Sequence, residues 1–349
     1  AHMVAVIFVS GQGLLDSINH TTGTYASFDY NAIGQVTSKT AGNGKVTTYD
    51  YYPDSQRLRN LATPGVQNLT YSYDSAGNIG GIASTVQAVA NQTFGYDALH
   101  RLTSASSPTV GTTVPGYSHT YTYDAIGNLK TGDGKTFTYP AAGAPRPHAA
   151  SSYGTCSLGY DANGNLATRT CGTAPVRTYT WDYDNRLTQI KDGTTVVASF
   201  SYDHAGQRLL KIEGSTTTTT FFPHYRTVNG QATKYYLANG QRIAERDNTG
   251  AAFYYHPDHL GSASSVTDST GTEVRAEIAY PYGRDRAGGG SKLVVHGYTG
   301  QERDTTTGLY YYGARYYDPV AMRFISADSI ISNVADPQTF NHYAYTRGN

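Results

Sequence analysis

The sequence has little of what several protein classes depend on. Its 349 residues include only 2 Cys, 2 Met and 1 Trp, and its 26 Lys and Arg are balanced by 26 Asp and Glu. A neutral chain with sparse basic residues does not build the positive field that nucleic acid or an anionic membrane surface requires, so we expect no nucleic-acid partner. No stretch approaches roughly 20 consecutive apolar residues, so we expect no membrane span.

The chain is instead rich in tyrosine and glycine, with 32 Tyr and 38 Gly. Tyr and Thr favour strands, and a high aromatic content argues against a disordered chain. The composition therefore predicts an all-β protein with many turns.

The N-terminal residues are interpreted apart from the fold. Residues 1–3, Ala-His-Met, are typical of an expression scar and are set aside. The apolar strand that follows, residues 4–9, has no basic leader and is too short for a signal peptide. We therefore expect the natural chain to begin further upstream.

One pattern recurs along the chain. It consists of an aromatic residue, any residue, Tyr-Asp, two further residues, Gly, one residue and an aliphatic residue. Clear copies contain Tyr73, Tyr123, Tyr160 and Tyr202, and degenerate copies contain Tyr30, Tyr52, Tyr96 and Trp181. Copies follow one another every 21 to 23 residues from Tyr30 to Tyr96 and again from Tyr160 to Tyr202. Such a period indicates a repeat architecture.

Each repeat is predicted to be a β-hairpin. The alternating aromatics lie on one face of a strand, the Asp accepts a nearby backbone N–H, and the Gly supplies the positive φ that closes the turn. One hairpin cannot bury its aromatic face alone, so neighbouring hairpins must stack into a continuous sheet. The recurring Tyr, Asp and Gly are therefore interpreted as structural, whereas a tyrosine outside the register, such as Tyr225, is the kind to test for function.

The two cysteines flank one repeat. If Asn163-Gly164 forms the two-residue turn that this dipeptide favours, the numbers of two residues that face each other across the hairpin add up to 327. Cys156 then lies opposite Cys171. A disulfide between them is predicted and would suit an exported protein. Two free buried thiols are the alternative.

From residue 255 onward the sequence carries a second series of motifs. They include His256-Pro257-Asp258-His259-Leu260-Gly261-Ser262, Tyr280-Pro281-Tyr282-Gly283, Tyr298-Thr299-Gly300-Gln301-Glu302, Thr307-Gly308-Leu309-Tyr310-Tyr311, Ala314-Arg315-Tyr316-Tyr317-Asp318-Pro319 and Arg323-Phe324-Ile325-Ser326-Ala327-Asp328. Together with the repeats, this segment resembles the YD/RHS-repeat proteins, which include bacterial RHS toxins, the C components of Tc toxin complexes, and teneurins. The resemblance divides the chain into a YD/RHS repeat region at residues 4–254 and an RHS-associated core at residues 255–349.

The resemblance implies a spiralling sheet of stacked β-hairpins that forms a curved strip or a hollow shell, closed by the RHS core. In toxin members a C-terminal effector follows the core and is released inside the shell by aspartyl self-cleavage. Such a protease needs two carboxylates that share a proton, and Asp328 is the first candidate and Asp336 the second. The alternative is that both are turn or cap residues.

Three departures from the family pattern bear on this expectation. Met322 stands where the family has Gly, Ser329 stands where it has Pro, and the chain stops before the expected scissile segment. We therefore expect a structural shell fragment whose effector partner is absent from this chain. By the same resemblance, we expect a protein that is secreted, displayed at the cell surface or delivered by a secretion system.

Two other functions stay open at this stage. Tyrosine faces stack on sugar rings, so the chain could be a polysaccharide lyase or hydrolase that uses Tyr and His on a β scaffold. It could also be a module for cell-surface adhesion or carbohydrate recognition. His256, Asp258 and His259 are metal-ligand types, but two histidines three residues apart on a turn do not point easily at one ion, so no metal or cofactor is predicted.

Overall fold

The computed structural model describes residues 6–11, 13–20, 23–112, 114–141, 143–330, 333 and 335–349, so the proposed expression scar at residues 1–3 lies outside it. In the described residues the regular structure consists of β-strands and four short 3-10 helices, which confirms the all-β prediction. None of these helices is long and apolar enough to cross a membrane.

The first sheet contains 11 strands in chain order. They are β1 (Val6–Val9), β2 (Leu15–His20), β3 (Gly23–Tyr30), β4 (Val36–Ala41), β5 (Val46–Tyr51), β6 (Leu58–Thr63), β7 (Gln67–Tyr73), β8 (Ile79–Ser84), β9 (Gln92–Tyr96), β10 (Leu102–Ser107) and β11 (Tyr117–Thr120).

The second sheet contains 18 strands, again in chain order. They are β12 (Thr122–Tyr123), β13 (Leu129–Gly132), β14 (Lys135–Thr138), β15 (Ser152–Tyr153), β16 (Cys156–Tyr160), β17 (Leu166–Cys171), β18 (Arg177–Trp181), β19 (Leu187–Asp192), β20 (Thr195–Tyr202), β21 (Arg208–Glu213), β22 (Thr216–Phe222), β23 (Tyr225–Val228), β24 (Gln231–Ala238), β25 (Gln241–Arg246), β26 (Ala252–His256), β27 (Ser265–Thr267), β28 (Glu273–Ala279) and β29 (Asp285–Gly290).

A third, small sheet of four strands follows near the C-terminus. Its strands are β30 (Glu302–Arg303), β31 (Tyr310–Tyr311), β32 (Tyr316–Asp318) and β33 (Arg323–Phe324). The short helices are Ala88–Ala90, Tyr298–Gly300, Pro337–Phe340 and Thr346–Gly348.

The two large sheets form one antiparallel meander. Each strand pairs with its neighbours in sequence, as β16 pairs with β17 and β20 with β21. Tyr121 separates β11 from β12 but donates its backbone N–H to the carbonyl of Thr103 at 2.9 Å, so the first sheet continues into the second. The prediction of stacked hairpins is therefore confirmed.

The turn at Asn163-Gly164 differs from the predicted two-residue turn, and that prediction is wrong. Gly164 N donates to Asp161 O and has φ of 87°, while the register of β16 and β17 shifts between Gly159 and Tyr160. This is the geometry of a type I turn with a Gly bulge. The register shift leaves Ala167 of β17 unpaired and so adds one residue to that strand, and Cys156 therefore still lies opposite Cys171.

The meander curves until its first strands meet its last ones. The hydroxyls of Tyr25 on β3 and Tyr236 on β24 lie 2.7 Å apart. Lys39 Nζ on β4 donates to the carbonyl of Tyr255 on β26 at 2.8 Å, and Gln67 on β7 donates to Pro257 O at 3.3 Å. The strip is thus rolled into a small shell.

Residues 295–349, called the plug below, lie on the concave side of the shell. Tyr317 OH donates to Tyr282 O at 2.7 Å, and Tyr343 OH donates to Gly164 O at 2.7 Å. The main hydrophobic cluster combines shell and plug residues, among them Leu102 and Tyr317. Strand β26 crosses the predicted domain boundary at residues 254 and 255, and the shell runs on to β29. The placement of that boundary stays a prediction.

Candidate functional site

The repeat tyrosines link each hairpin to the one before it. Tyr51 OH donates to Val36 O at 2.8 Å, and Tyr73 OH donates to Leu58 O at 2.8 Å. The acceptor is in each case the aliphatic residue of the preceding repeat. The same bond is made from Tyr30 to Leu15, Tyr96 to Ile79, Tyr123 to Leu102, Trp181 to Leu166 and Tyr202 to Leu187. Sequence reasoning assigned the rings to packing and missed the hydroxyls.

One repeat position needs correction. The sequence pattern placed the second repeat tyrosine at Tyr52, but Tyr51 ends β5, pairs with Leu58 and makes the bond to the preceding repeat. Tyr52 OH donates in the other direction along the meander, to Tyr71 O at 3.0 Å. The hydrogen bond between repeats could have been inferred from Trp181, which replaces the repeat tyrosine. The Trp indole has an N–H donor, whereas a Phe at the same position would have none.

The repeat aspartates organise the turns, as predicted. Asp74 Oδ1 accepts the backbone N–H groups of Ala76 and Asn78, each at 2.9 Å, and Oδ2 accepts the Asn78 amide at 2.8 Å. The Asn78 side chain and these backbone donors lower the pKa of Asp74. Asp203 binds Ala205 N and Gln207 N in the same way. These carboxylates are occupied by their own turns, in agreement with the structural interpretation.

A buried ionic cluster joins the shell to the plug. Asp304 of the plug is fully buried and accepts Arg208 Nη1 at 2.8 Å and Lys211 Nζ at 2.9 Å, both from β21. Glu302 lies 3.1 Å from Arg208 and 3.0 Å from Lys211. Burial opposes ionisation of Glu302, but Arg208 and Lys211 outweigh it and hold the pKa of Glu302 well below its usual range. Sequence reasoning quoted Glu302 within a motif without assigning it a role.

The two candidate cleavage carboxylates are held by different arginines. Asp328 Oδ2 lies 2.8 Å from Arg315 Nη2, and its Oδ1 accepts Ile330 N at 3.0 Å. Asp336 caps the helix Pro337–Phe340 through Gln338 N and lies 2.7 Å from Arg347 Nη1. Among the described residues, no hydrogen bond joins the two carboxylates. Their role in self-cleavage stays a prediction.

The His256, Asp258 and His259 side chains are directed at separate partners. His256 Nε2 lies 2.9 Å from Thr267 Oγ1, and burial lowers the pKa of His256 to about 3. Asp258 binds Leu260 N and Ser262 N of its own turn, while the His259 ring packs edge-on against Tyr71 at 4.8 Å. Across the described ranges, no group of three or more His, Cys, Asp or Glu is placed to hold a metal ion.

Tyr225 and the two cysteines are placed on shell strands. Tyr225 opens β23 and packs 5.6 Å from the Phe221 ring. Cys156 and Cys171 face each other across β16 and β17, and their Sγ atoms are 2.00 Å apart.

A cavity of about 480 Å³ lies beside the end of the chain. Shell residues Ile82, Phe94 and Tyr280 line one side, and plug residues Tyr298 and Tyr310 line another. The last residues of the plug, Tyr345, Thr346 and Asn349, also face this space. Asn349 is fixed there by a hydrogen bond to His100 O at 2.8 Å.

Several known proteins are similar to this chain in sequence. Toxin subunit YenC1 of Yersinia entomophaga is 27% identical over an aligned length of 389, and the match covers 86% of this chain and 39% of that protein. The tRNA3(Ser)-specific nuclease WapA of Bacillus spizizenii is 31% identical over an aligned length of 351, and the match covers 94% of this chain and 14% of that protein. The chain thus spans less than half the length of these relatives.

The fold and the family are shown by two further comparisons. The crystal structure of TcdB2-TccC3 superposes with a TM-score of 0.79 at 22% sequence identity, covering 99% of this chain and 20% of that one. A family model described as Teneurin YD-shell matches residues 83–349, which include most of the meander and the whole plug. The chain therefore belongs to the Teneurin YD-shell family and is a YD-repeat shell fragment.

Proposed function

We propose that this chain forms the wall and the end closure of a shell that encloses a C-terminal effector segment of a longer toxin-type protein. The observation that carries the proposal is the position of the plug. It lies inside the rolled sheet, and Tyr345, Thr346 and Asn349 line the cavity at the end of the chain. A segment joined to Asn349 would start beside that space.

The relatives support a separation between shell and activity. YenC1 is named a toxin subunit and WapA a tRNA nuclease, and a double-stranded DNA deaminase toxin of Burkholderia cenocepacia is 25% identical over 306 residues. The last two names describe different activities, while the part that matches this chain is 39%, 14% and 20% of the three proteins in turn. A shared shell with differing effectors accounts for this pattern, and toxin relatives favour secretion or delivery out of the producing cell.

The test uses a peptide fused after Asn349, with one protease site next to Asn349 and one near its far end. The matched control carries the same peptide at the N-terminus. We expect the site beside Asn349 to resist cleavage while the distal site is cut, whereas both sites of the N-terminal peptide are cut at similar rates. Equal cleavage of the two C-terminal sites would count against enclosure by the shell.

A second fusion, in which the natural continuation of the protein follows Asn349, tests the proposed self-cleavage. Asp328 and Asp336 are the candidate carboxylates, and either would have to leave its arginine partner to share a proton with a second acid. If they act, the fusion releases its C-terminal peptide without added protease, and Asp328→Asn abolishes the release. Release at an unchanged rate from Asp328→Asn and from Asp336→Asn assigns the cleavage to other residues.

A further inference from the structure

Side chains, and not a backbone ladder, join strand β3 to strand β24 where the rolled sheet closes. Strand β3 pairs with β2 and β4, and strand β24 pairs with β23 and β25, so these two strands share no main-chain pairing in the described residues. Tyr25 on β3 and Tyr236 on β24 meet across the closure, although they are 211 residues apart in sequence. One bond between them would fasten the shell.

The rings of Tyr25 and Tyr236 are stacked face to face. Their centroids lie 3.6 Å apart with an interplanar angle of 21°, and Tyr25 OH donates to Tyr236 OH at 2.7 Å. Because both hydroxyls lie at the same end of the stack, the ring carbon next to one hydroxyl faces the equivalent carbon of the other ring. Reacting atoms held about 3 to 3.5 Å apart with aligned orbitals are in a near-attack arrangement.

This geometry is particular to the closure. Among the described residues, the other tyrosine ring pairs are tilted or edge-on, and the shortest of them, Tyr317 with Tyr345, has its centroids 4.5 Å apart. Aromatic pairs prefer offset or edge-on arrangements with centroids about 4.5 to 7 Å apart. The close stack of Tyr25 on Tyr236 is therefore imposed by the strands that carry the two rings.

The surroundings limit the partners with which either ring can react. Tyr25 and Tyr236 are each 3% exposed and lie in a hydrophobic cluster that includes Ile18 and Ile243. The half-buried His20 ring lies 5.8 Å from the Tyr25 ring, so Tyr25 is only one ring away from the surface. An electron can cross this short distance to an oxidant outside, whereas a radical left on one ring has only the other as a stacked phenol.

We propose that Tyr25 and Tyr236 are a site of oxidative cross-linking, in which a carbon–carbon bond between the two rings locks the rolled sheet. A one-electron oxidant, such as a haem peroxidase supplied with hydrogen peroxide, removes one electron from each ring. Each hydroxyl proton leaves to water, which gives two tyrosyl radicals.

The two unpaired electrons then form the bond between the ring carbons next to the hydroxyls. The hydrogen on each of these carbons leaves as a proton and each oxygen takes up a proton, which restores both phenols. The pair loses two hydrogen atoms in total, and one hydrogen peroxide is reduced to two water molecules.

The link would differ in reach from the bond that the chain already contains. The disulfide between Cys156 and Cys171 joins residues 15 apart within one hairpin, whereas Tyr25 and Tyr236 are 211 apart. Disulfides persist in oxidising surroundings, which are also those in which tyrosine is oxidised. Because a cross-link that closes a longer loop restricts the unfolded chain more, the tyrosine link would stabilise the whole shell.

Photo-oxidation of the unmodified chain at low protein concentration tests the proposal, with a ruthenium tris-bipyridine complex as the oxidant and persulfate as the electron acceptor. We expect a monomer that has lost two hydrogen atoms, shows dityrosine fluorescence and unfolds at a higher urea concentration. Digestion with trypsin should link residues 1–39 to residues 235–242, and fragmentation should place the link at Tyr25 and Tyr236 and not at Tyr30 or Tyr235. The absence of an intramolecular link, or a link mainly between other tyrosines, overturns the proposal.

Variants assign the link to this pair. Tyr236→Phe keeps a ring in the cluster but has no hydroxyl from which a tyrosyl radical can form, so we expect no linked product and no shift of the urea midpoint on oxidation. Tyr25→Phe should behave in the same way. Tyr183→Phe is the matched control, since it removes a fully exposed tyrosine, and it should form the link as the parent does. Formation of the same amount of intramolecular link in Tyr236→Phe and Tyr25→Phe as in the parent contradicts the assignment.

Discussion

Each repeat tyrosine fixes the position of its own hairpin relative to the preceding hairpin. Its ring packs within the repeat, and its hydroxyl reaches back to the carbonyl that begins the returning strand of the previous repeat, as Tyr51 does with Val36. Phe could supply the ring but not the donor, whereas Trp181 supplies both. The high tyrosine content therefore reflects hydrogen bonding between repeats as well as burial of aromatic surface.

Removing one such hydroxyl should lower stability by a small, measurable amount. In Tyr51→Phe the ring is kept, but Val36 O loses its donor at 2.8 Å. We expect the free energy of unfolding to fall by about 1 kcal/mol, the usual net value of one hydrogen bond. Urea denaturation measures it. The control is Tyr183→Phe, which changes a fully exposed ring and should leave the midpoint unchanged; equal midpoints for both variants would show that the hydroxyl has no structural role.

Lys39 should make stability depend on pH in the alkaline range. Burial lowers the pKa of Lys39 to about 8, from 10.5 in the unfolded chain. Between these values the unfolded chain binds more protons than the folded one, so stability rises with pH. From pH 7 to 9.5 we expect the free energy of unfolding of the parent to gain about 2 kcal/mol relative to Lys39→Met, at 1.4 kcal/mol per pKa unit.

Denaturant unfolding of both proteins at the two pH values measures this difference. Tyrosine ionisation contributes to both proteins and cancels in the comparison. Lys130→Met replaces an exposed lysine on β13 and serves as the control, for which no relative change is expected. A constant difference between the parent and Lys39→Met at both pH values would mean that the Lys39 amine keeps its ordinary pKa.

At the scale of the hairpin, the strands could be predicted from the sequence but the turn type could not. The Asn163-Gly164 dipeptide favours a two-residue turn, yet Asp161 Oδ1 accepts the N–H groups of Asn163 and Asn165, each at 2.9 Å. That carboxylate selects the longer turn with Gly164 in the bulge position. The local preference of a dipeptide was thus overridden by an acidic side chain two residues before it.

The hairpin of β16 and β17 should depend on its cysteine pair. Cys156 and Cys171 are 15 residues apart in sequence. A cross-link that closes a loop of about 15 residues lowers the entropy of the unfolded chain and so stabilises the folded state by about 3 kcal/mol. We therefore expect a reductant to lower the unfolding midpoint of the parent and to leave that of the Cys156→Ser, Cys171→Ser double variant unchanged. Alkylation of both thiols in the unreduced protein, detected by mass spectrometry, would contradict this pairing.

At the scale of the whole molecule, the repeat pattern predicted the rolled sheet, but the ionic contacts that hold the plug were not visible in it. Arg208 and Asp304 are 96 residues apart, and Arg169 and Asp318 are 149 apart. No local periodicity relates such positions, because their contact is created only when the meander closes around the plug. For the same reason the family motifs identified the core segment without showing which shell strand each motif residue contacts.

We expect the buried ionic cluster around Asp304 to hold the plug against the shell. Asp304→Asn keeps the shape of the side chain but removes one of the two acidic counter-ions that Arg208 and Lys211 share, the other being Glu302. Breaking a buried pair by removing one partner costs about 3 to 5 kcal/mol, so we expect a loss of unfolding free energy in that range. Limited proteolysis should then cut within residues 295–349 before it cuts the shell.

The matched control for Asp304 is an exposed ion pair within the same part of the chain. Asp285 pairs with Arg303, and their side chains are 58% and 36% exposed. Asp285→Asn should cost no more than about 1 kcal/mol, as exposed pairs do, and should leave the proteolytic pattern unchanged. If Asp304→Asn and Asp285→Asn lose stability equally and both keep the plug protected, aromatic packing and not the ionic cluster fixes the plug in the shell.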